Sequence, residues 1–327
     1  MLYPLTFHPI FKERVWGGRN LEQLYQKHLP PGVPIGESWE ISDRPGDVSV
    51  IANGPLAGRD LRWLMTHHER ELLGEARPAN SRFPLLIKIL DAEEKLSLQV
   101  HPPAHKAAEL RGEPKTEMWF ITRAAPGAAL YVGLKRGVTR EEFERRIAAG
   151  TVDECFHRVP VKAGDAMFLP SGRVHAIGAG LVIFEIQQNS DTTYRVFDWN
   201  RVGTDGKPRD LHVAQSLASI DFKDFEPALV DSSPASSGRF RIQPLVRDPL
   251  FKVDAFRALA QETLWFRQPR LRIIGVLANR VWVSGGTKSL ELRPGQFCLV
   301  PASVPVTEIA NEIGSAFLLV EPGEGGG

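Results

Sequence analysis

Short apolar runs separated by turn residues dominate the chain. The runs are four to seven residues long, and segments containing glycine or proline lie between them. Runs of this length between turn residues are typical of β-strands, and many in succession predict a sandwich or a barrel. The predicted strands cover residues 48–51, 85–90, 96–100, 118–121, 129–132, 166–169, 181–187, 271–277, 281–284, 289–292, 297–300 and 316–320.

A few helices interrupt this pattern. Thr139 and Glu142 form a capping box, so a helix is expected to begin there, run to about Ala149 and end at Gly150. Two further helices are expected over residues 60–74 and 104–112. The sequence therefore predicts a mainly β fold with a few short helices.

A polar segment of small residues, 231–238, contains proline and predicts a loop at a domain boundary. The expected domains are residues 1–230, with the helices, and residues 231–327. The glycine-rich end, 323–327, is expected to be disordered.

A faint internal repeat supports two related β-domains. Five residues separate Gly164 from Pro170, and five separate Gly295 from Pro301. Each copy reads as a turn, a strand and a second turn. Five residues after the proline, the first copy has His175 and the second has Val306. If His175 binds a metal, the second domain has lost that function.

Charge and composition exclude several classes of protein. The 327 residues include 40 Lys and Arg and 39 Asp and Glu, a formal net charge of +1, so no global attraction to nucleic acid or membranes is expected. No apolar run approaches a membrane span, and the first 18 residues lack a signal-peptide pattern. Two distant cysteines, Cys155 and Cys298, form no disulfide framework. A soluble, cytoplasmic protein is expected.

Polar side chains alternate with apolar ones in two predicted strands. Ser97, Gln99 and His101 share one strand face, and Lys115, Glu117 and Trp119 share another. Imidazole, carboxylate and amide groups suit zinc or a harder transition ion. A histidine on a strand is more often a satisfied or exposed side chain, so this alternative stays open. The candidate ligand set is Gln99, His101, Glu117 and His175.

Two more charged residues lie in apolar surroundings. Glu185 ends an apolar run and is expected to emerge from a buried strand, where its carboxylate needs a partner, a metal or a proton. Arg195, between Tyr194 and Val196, is either part of a structural ion pair or a clamp for an anion or oxyanion. Phosphate-loop, dinucleotide-binding and GxSxG motifs are absent.

Together these motifs resemble the type I mannose-6-phosphate isomerase family in its compact bacterial form. The resemblance extends to about residue 215, roughly two thirds of the chain. The matching segments are 16–18, 36–40, 86–92, 96–102, 115–119, 170–177 and 185–198.

The resemblance implies a fold and a site. It implies two cupin (jelly-roll) β-barrel domains, the first catalytic and metal-binding and the second, 231–327, without metal ligands. Residues 164–175 look like the second cupin motif, although Ala179 stands where the general pattern has Asn. It also implies one zinc ion per chain, bound by Gln99, His101, Glu117 and His175. Arg195 is implied to be catalytic, and the implied pocket residues are Trp16, Lys88, Ser97, Lys115 and Glu185.

The implied reaction interconverts mannose 6-phosphate and fructose 6-phosphate through an enediol. The reaction needs a base that moves the proton and a group that stabilises the developing oxyanion. Glu185 is the candidate base, while Lys115 or a water on the metal would also fit. The expected partner is a sugar phosphate, and the chain is expected to be a monomer or weak homodimer. Two rivals stay open: a non-catalytic metal-containing sugar-phosphate sensor on the same scaffold, and another metal cupin such as an oxygenase.

Overall fold

The structure is a computed structural model, and it describes residues 2–203, 206–285 and 288–324. Short antiparallel strands form most of it. The strands of the first half are β1 (Ile10–Gly18), β2 (Ile35–Ile41), β3 (Asp43–Arg44), β4 (Asp47–Val48), β5 (Leu85–Ala92), β6 (Leu98–Val100), β7 (Glu117–Ala124), β8 (Ala129–Leu134), β9 (Phe156–Pro160), β10 (Ala166–Leu169), β11 (His175–Ile177), β12 (Leu181–Gln188) and β13 (Tyr194–Phe197). Those of the second half are β14 (Ala235–Ser237), β15 (Phe240–Arg247), β16 (Phe251–Ala258), β17 (Thr263–Phe266), β18 (Arg272–Ala278), β19 (Val281–Gly285), β20 (Lys288–Leu292), β21 (Phe297–Val300), β22 (Thr307–Asn311) and β23 (Ala316–Pro322).

The helices are short and lie mostly in the first half. They are α1 (Asn20–Tyr25), α2 (Leu61–His67), α3 (Glu69–Leu73), α4 (Ala104–Ala107), α5 (Arg140–Ala149) and α6 (Val213–Ser219), with a 3₁₀ turn at Val152–Cys155. None of the helices described is long and apolar enough to cross a membrane. The prediction of a mainly β fold with a few short helices is confirmed.

Each half contains two large sheets, and the first half also contains the two-stranded sheet β3-β4. In the first half a six-stranded sheet, β1-β2-β5-β12-β7-β10, packs against a five-stranded sheet, β13-β6-β11-β8-β9. In the second half a six-stranded sheet, β14-β15-β16-β23-β18-β21, packs against a four-stranded sheet, β17-β22-β19-β20. None of these sheets closes on itself within the described ranges, so closed barrels are not seen.

The two six-stranded sheets also share a core. Ile87 and Phe184 from the first sheet and Phe251 and Val320 from the second belong to one buried cluster. Both faces of the first six-stranded sheet are buried. For this reason the sequences of β5 and β12 are nearly continuous apolar runs. The amino-terminal segment crosses between the halves, because Leu5 and Leu299 exchange two backbone hydrogen bonds of 2.8 Å. The predicted boundary near residue 230 stays a prediction.

Strand order supports the internal repeat. The strands that follow Gly164 and Gly295, β10 and β21, both lie at the end of a six-stranded sheet. In register, Leu169 opposes Glu117, whereas Val300 opposes Arg272. Leu169 and Val300 each precede the proline of their repeat, so Arg272 occupies the position that corresponds to Glu117. This cation pairs with Glu321 at 2.9 Å and replaces the candidate ligand.

Helix α5 matches its prediction. Thr139 accepts a hydrogen bond from the backbone N–H of Glu142, and Gly150 ends the helix with φ +71°. Several other boundaries differ. The predicted helix at 60–74 is broken at His68 into α2 and α3, and the one at 104–112 is only α4.

The predicted loop at 231–238 contains the short strand β14. Gly323 is hydrogen-bonded to Leu250, so the expected disorder is wrong there, while residues 325–327 lie outside the described ranges. Cys155 and Cys298 are buried free thiols, consistent with the absence of a disulfide framework.

Candidate active site

Alternation along three neighbouring strands places charged side chains on the inner face of the first six-stranded sheet. In β5, Ile87 and Ile89 face the shared core, so Lys88 faces the opposite side together with Leu90. The register then aligns Lys88 of β5, Glu185 of β12 and Trp119 of β7 in one row. Glu117 lies two residues before Trp119 and points the same way.

A second row faces this one from the five-stranded sheet. Arg195 of β13 opposes Gln99 of β6, and Gln99 opposes His175 of β11. The two rows meet across the sandwich, where the rings of Trp119 and His175 form an edge contact at 5.2 Å between centroids. The predicted site residues therefore come from two facing sheets.

Three buried side chains form a cluster that can hold a metal ion. The donor atoms of His101, Glu117 and His175 all lie within 4.8 Å of one another. His175 Nε2 lies 3.3 Å from Glu117 Oε1, and His101 Nε2 lies 3.6 Å from Oε2. Two imidazoles and one carboxylate are a donor set that zinc and related ions accept.

Backbone carbonyls fix the orientation of both imidazoles. His101 Nδ1 lies 2.7 Å from the carbonyl oxygen of Thr192, and His175 Nδ1 lies 2.9 Å from that of Arg173. An Nδ1–H that donates to a carbonyl leaves Nε2 as the free acceptor, which is the arrangement of metal-binding histidines. Burial lowers the pKa of His101 and that of His175, the latter to about 3, so both rings are neutral.

Glu117 provides the test of fit for a metal. Its side chain is fully buried, and Oε1 accepts no hydrogen bond from the described residues. The Lys115 ammonium lies 2.7 Å from Oε2 as an ion pair. Burial alone would raise the pKa of Glu117, but the Lys115 ammonium brings it well below its usual range. A buried anion with unused lone pairs between two neutral imidazoles fits a cation.

The fourth predicted ligand lies beside this cluster. Gln99 Nε2 is 3.3 Å from His175 Nε2, and Gln99 Oε1 is 3.5 Å from the hydroxyl of Ser97. The two ends of an amide have the same shape, so a half-turn brings Oε1 to the imidazole side. Gln99 is therefore placed to join the set.

A cavity of about 520 Å³ opens next to the cluster, and all the predicted pocket residues line it. They are Trp16, Lys88, Ser97, Lys115 and Glu185, and the predicted ligand Gln99 and the predicted catalytic residue Arg195 line the cavity as well. Trp16 is buried in the inner core, and Gly36 is required beside it, because a Cβ there would lie 2.6 Å from Trp16 Cζ3. The structure brings the candidate metal, catalytic and substrate-binding residues into one site.

Glu185 lies in the middle of β12, within the predicted strand 181–187, and its side chain is buried there. Its carboxylate accepts a hydrogen bond from Trp119 Nε1 at 3.0 Å, and the ammonium groups of Lys88 and Lys115 lie 3.5 and 3.9 Å away. Burial raises the pKa of Glu185, and Lys115 partly opposes this rise. Burial would lower the pKa of Lys115, but Glu117 and Glu185 raise it above its usual range.

Arg195 has no carboxylate within ion-pair distance among the described residues, so the structural ion pair is not seen there, and its role as an anion clamp stays a prediction. Its Nη1 donates to the carbonyl of Asp210 at 2.7 Å, and its buried Nε has no partner in the described chain. Burial, and then the nearby Arg209, lower the pKa of Arg195.

Glu37 is a buried cavity residue without a predicted role. It accepts hydrogen bonds from Trp39 Nε1 at 2.6 Å and Arg14 Nε at 2.7 Å, and Lys88 lies 3.5 Å away. Burial would raise its pKa, but Lys88 and Arg14 lower it to about 2. In the sequence, the only indication of a functional role for Glu37 was its place in segment 36–40, one of the segments that carry the family resemblance. The other cavity residues that were not predicted are Glu13, Arg14, Val15, Leu90, Leu96, Asp191, Thr193, Gly203 and Arg209.

Comparison of the sequence with known proteins agrees with the resemblance seen in its motifs. Residues 5–119 match the model of the phosphomannose isomerase type I catalytic domain. Mannose-6-phosphate isomerase of Streptococcus mutans is 37% identical over 93% of this chain and 94% of its own. Mannose-6-phosphate isomerase ManA of Bacillus subtilis is 43% identical over 67% of this chain and 68% of its own.

Solved structures agree with these matches. The mannose 6-phosphate isomerase from Bacillus subtilis superimposes with a TM-score of 0.89 at 30% identity, covering 98% of this chain and 100% of that one. A variant of the phosphomannose isomerase from Salmonella typhimurium gives 0.77 at 18% identity, covering 98% and 99%, and shows a shared fold.

The fold and the site define a mainly β enzyme whose cavity adjoins a buried metal-capable cluster. The relatives identify the family within this class. The chain belongs to the type I mannose-6-phosphate isomerase family, as its motifs predicted.

Proposed function

We propose that this chain isomerises mannose 6-phosphate to fructose 6-phosphate, with one Zn²⁺ held by Gln99, His101, Glu117 and His175. One observation carries the proposal: the buried His101–Glu117–His175 cluster adjoins a cavity whose lining includes the Glu185 carboxylate, two lysines and Arg195, which has no ion-pair partner among the described residues. The family relationship supplies the substrate, since the relatives are named for this reaction. A zinc ion at the cluster would act as a Lewis acid toward the sugar oxygens.

Glu185 is the base in this proposal. The reaction moves a proton between C2 and C1 through an enediol, so one group must take the proton and return it. The Glu185 carboxylate lies on the cavity wall and is held in place by Trp119 Nε1. Lys115 is paired with Glu117 at 2.7 Å, and this contact favours a role in charge stabilisation over one as a base.

Cationic groups stabilise the charge that develops during the proton transfer and bind the sugar oxygens. Arg195, with its unused donor, stabilises the negative charge that develops on the enediolate oxygen. Lys88, Lys115 and Ser97 hold sugar oxygens from the other walls, and Trp16 closes the cavity with an apolar surface. Together these groups replace the water that the sugar loses on entry.

The finer organisation of the chain is part of the proposal. Residues 1–230 form a catalytic cupin domain and residues 231–327 a cupin-like domain without metal ligands. The matching strand order of the two six-stranded sheets supports this division, as does Arg272 at the position of Glu117. The chain acts on a free sugar phosphate in the cytoplasm as a monomer or weak homodimer.

Nuclear magnetic resonance in deuterated water tests the function. Purified, zinc-loaded protein is mixed with mannose 6-phosphate, and fructose 6-phosphate is followed over time. Conversion with deuterium appearing at the exchanging carbon supports the isomerase and the enediol. Binding without conversion, measured by calorimetry on the same sample, would instead favour the sugar-phosphate sensor.

A further inference from the structure

Arg195 lies on a strand that has a free edge. Strand β13 is the last strand of the five-stranded sheet, and β6 is its only neighbour among the described strands of that sheet. The backbone groups of an edge strand that face away from the sheet need partners elsewhere, in the protein or in water. The position of Arg195 therefore depends in part on what binds the outer side of β13.

The segment from Asp210 to His212 binds that outer side at three points. The backbone N–H of His212 donates to the Arg195 carbonyl at 2.8 Å, and the backbone N–H of Arg195 donates to His212 Nδ1 at 3.2 Å. The Arg195 guanidinium donates from Nη1 to the Asp210 carbonyl at 2.7 Å. One short segment thus holds both backbone groups of Arg195 and one of its side-chain nitrogens.

In this pairing an imidazole nitrogen takes the place of a backbone carbonyl. The His212 carbonyl points along helix α6, where it accepts a hydrogen bond from the backbone N–H of Ser216 at 2.8 Å. Because this carbonyl is directed into the helix, the side chain of His212 completes the antiparallel pair with Arg195. The contact requires an acceptor bonded directly to Cγ, which only a few side chains supply.

Helix α6 fixes His212 against the sheet that carries Arg195. Ile220, at the end of the helix, belongs to the same buried cluster as Val196 of β13, and Leu217 packs against that cluster. Side chains in a closely packed cluster have little freedom to move. The acceptor for the Arg195 N–H therefore comes from the end of a packed helix and not from a free loop.

The contact also requires a neutral His212 ring with its proton on Nε2. Nδ1 can accept the Arg195 N–H only when it carries no proton itself. Burial lowers the pKa of His212, and the Arg195 charge lowers it further against a smaller opposite effect of Asp210. The ring is therefore neutral at pH 7, and the position of its proton can be measured.

We propose that His212 is a positioning residue for the reaction, which holds the Arg195 guanidinium in place by completing the backbone pairing of β13 through Nδ1. That Arg195 acts on the substrate rests on the proposed function. Arg195 lines the cavity, and its buried Nε has no partner in the described ranges, so a shift of the strand edge moves this donor relative to the sugar. Donors that stabilise a developing oxyanion are effective only when they are already in place.

The test compares His212→Asn, His212→Gln and His212→Ala with wild type, each also in combination with Arg195→Ala. Asn keeps an acceptor bonded to Cγ, Gln moves it one bond further out, and Ala removes it. His67→Ala is the matched control, because His67 Nδ1 also contacts one backbone group, the Trp63 carbonyl at 2.9 Å, but lies outside the cavity. Values of kcat and KM for mannose 6-phosphate, zinc content and thermal unfolding are measured for each.

In His212→Ala and His212→Gln, we expect kcat to fall about 5- to 20-fold with KM within about threefold, because one hydrogen bond that orients a transition-state donor is lost. His212→Asn is expected to recover most of kcat. In the Arg195→Ala background, the His212 substitutions are expected to have no further effect, since a residue that acts through a guanidinium has none once that group is absent. Zinc content and the His67→Ala enzyme are expected to match wild type.

Nitrogen-15 magnetic resonance on histidine-labelled protein measures the contact itself and requires no turnover. The His212 signal, identified by its loss in His212→Asn, is expected to show a proton on Nε2 and none on Nδ1. The opposite tautomer would overturn the proposal. So would kcat within twofold of wild type in His212→Gln, or losses that multiply in the Arg195→Ala background; His212→Gln and His212→Asn suffice for both comparisons if His212→Ala does not fold.

These results separate the positioning role from the proposed function. A protein that shows the expected tautomer but has no isomerase activity would refute the proposed reaction and retain the pairing of His212 with Arg195. Normal turnover in Arg195→Ala would refute the catalytic role of Arg195 and, with it, any role of His212 in the reaction.

Discussion

Replacing Arg195 with alanine separates oxyanion stabilisation from metal binding. Arg195 lies opposite Gln99 on the neighbouring strand, yet it makes no ion pair among the described residues and is not one of the three cluster residues. Its removal leaves no buried carboxylate without a partner. The substitution therefore changes the charge in the cavity while the candidate ligands stay in place.

The expected loss follows from the burial of this residue. Arg195 is partly exposed, so an effective dielectric constant of about 20 applies, and a unit charge at about 3 Å would interact by about 5 kcal/mol. Only the part gained in the transition state affects turnover, and loss of one oxyanion donor typically costs about 3–4 kcal/mol. We expect kcat to fall about 100- to 1000-fold. The lost bond to the Asp210 carbonyl costs about 1 kcal/mol of stability.

The assay measures fructose 6-phosphate formation with a coupled enzyme, together with zinc content and thermal unfolding. Arg158→Ala is the matched control, because Arg158 also donates to a single backbone carbonyl, that of Gly127, but lies outside the cavity. Normal turnover in Arg195→Ala would refute the catalytic role. A parallel loss of zinc would show that the guanidinium acts through the metal site.

The remaining predictions concern the metal, the core and pH. Glu117→Gln is expected to lower bound zinc, measured by mass spectrometry, to a small fraction of wild type; full occupancy would contradict its role as a ligand. Phe143→Ala, at a fully buried ring, is expected to lower the free energy of unfolding in urea by about 3–5 kcal/mol, and a loss below about 1 kcal/mol would contradict the packing. Glu37 has a folded pKa of about 2 against an ordinary value of 4.5, so as pH falls the unfolded chain binds the proton first. Its contribution, about 3 kcal/mol, is therefore complete above pH 4.5 and lost toward pH 2, and Glu37→Gln should destabilise the protein at pH 7 and have no effect near pH 2 in denaturation experiments. An equal effect of Glu37→Gln at both pH values would contradict this.

Strand alternation made part of the site predictable. Lys115, Glu117 and Trp119 were expected on one face of a strand, and Glu117 and Trp119 do face the cavity side of β7. Glu185 was recognised as a carboxylate in apolar surroundings. Its place inside β12 agrees with the predicted strand 181–187, whereas its neighbours Lys88 and Trp119 come from other strands and depend on the register of the sheet.

Contacts between distant segments were not predictable in the same way. The Thr192 carbonyl that orients His101 is a backbone group and has no signature in the sequence. Glu37 and Arg209 reach the cavity only because β2 pairs with β5 and because Asp198, just after β13, holds Arg209 beside it. Likewise, Arg272 could be matched to Glu117 only after the register of β18 and β21 was known.

The most direct test of the central claim is isomerase activity before and after removal of the metal. Purified protein is assayed for fructose 6-phosphate formation from mannose 6-phosphate, then treated with a chelator, and then supplied with zinc while bound metal is counted. We expect activity to disappear with the chelator and return with about one zinc per chain. Full activity in protein shown to contain no metal, or none in folded, zinc-loaded protein, would contradict the account.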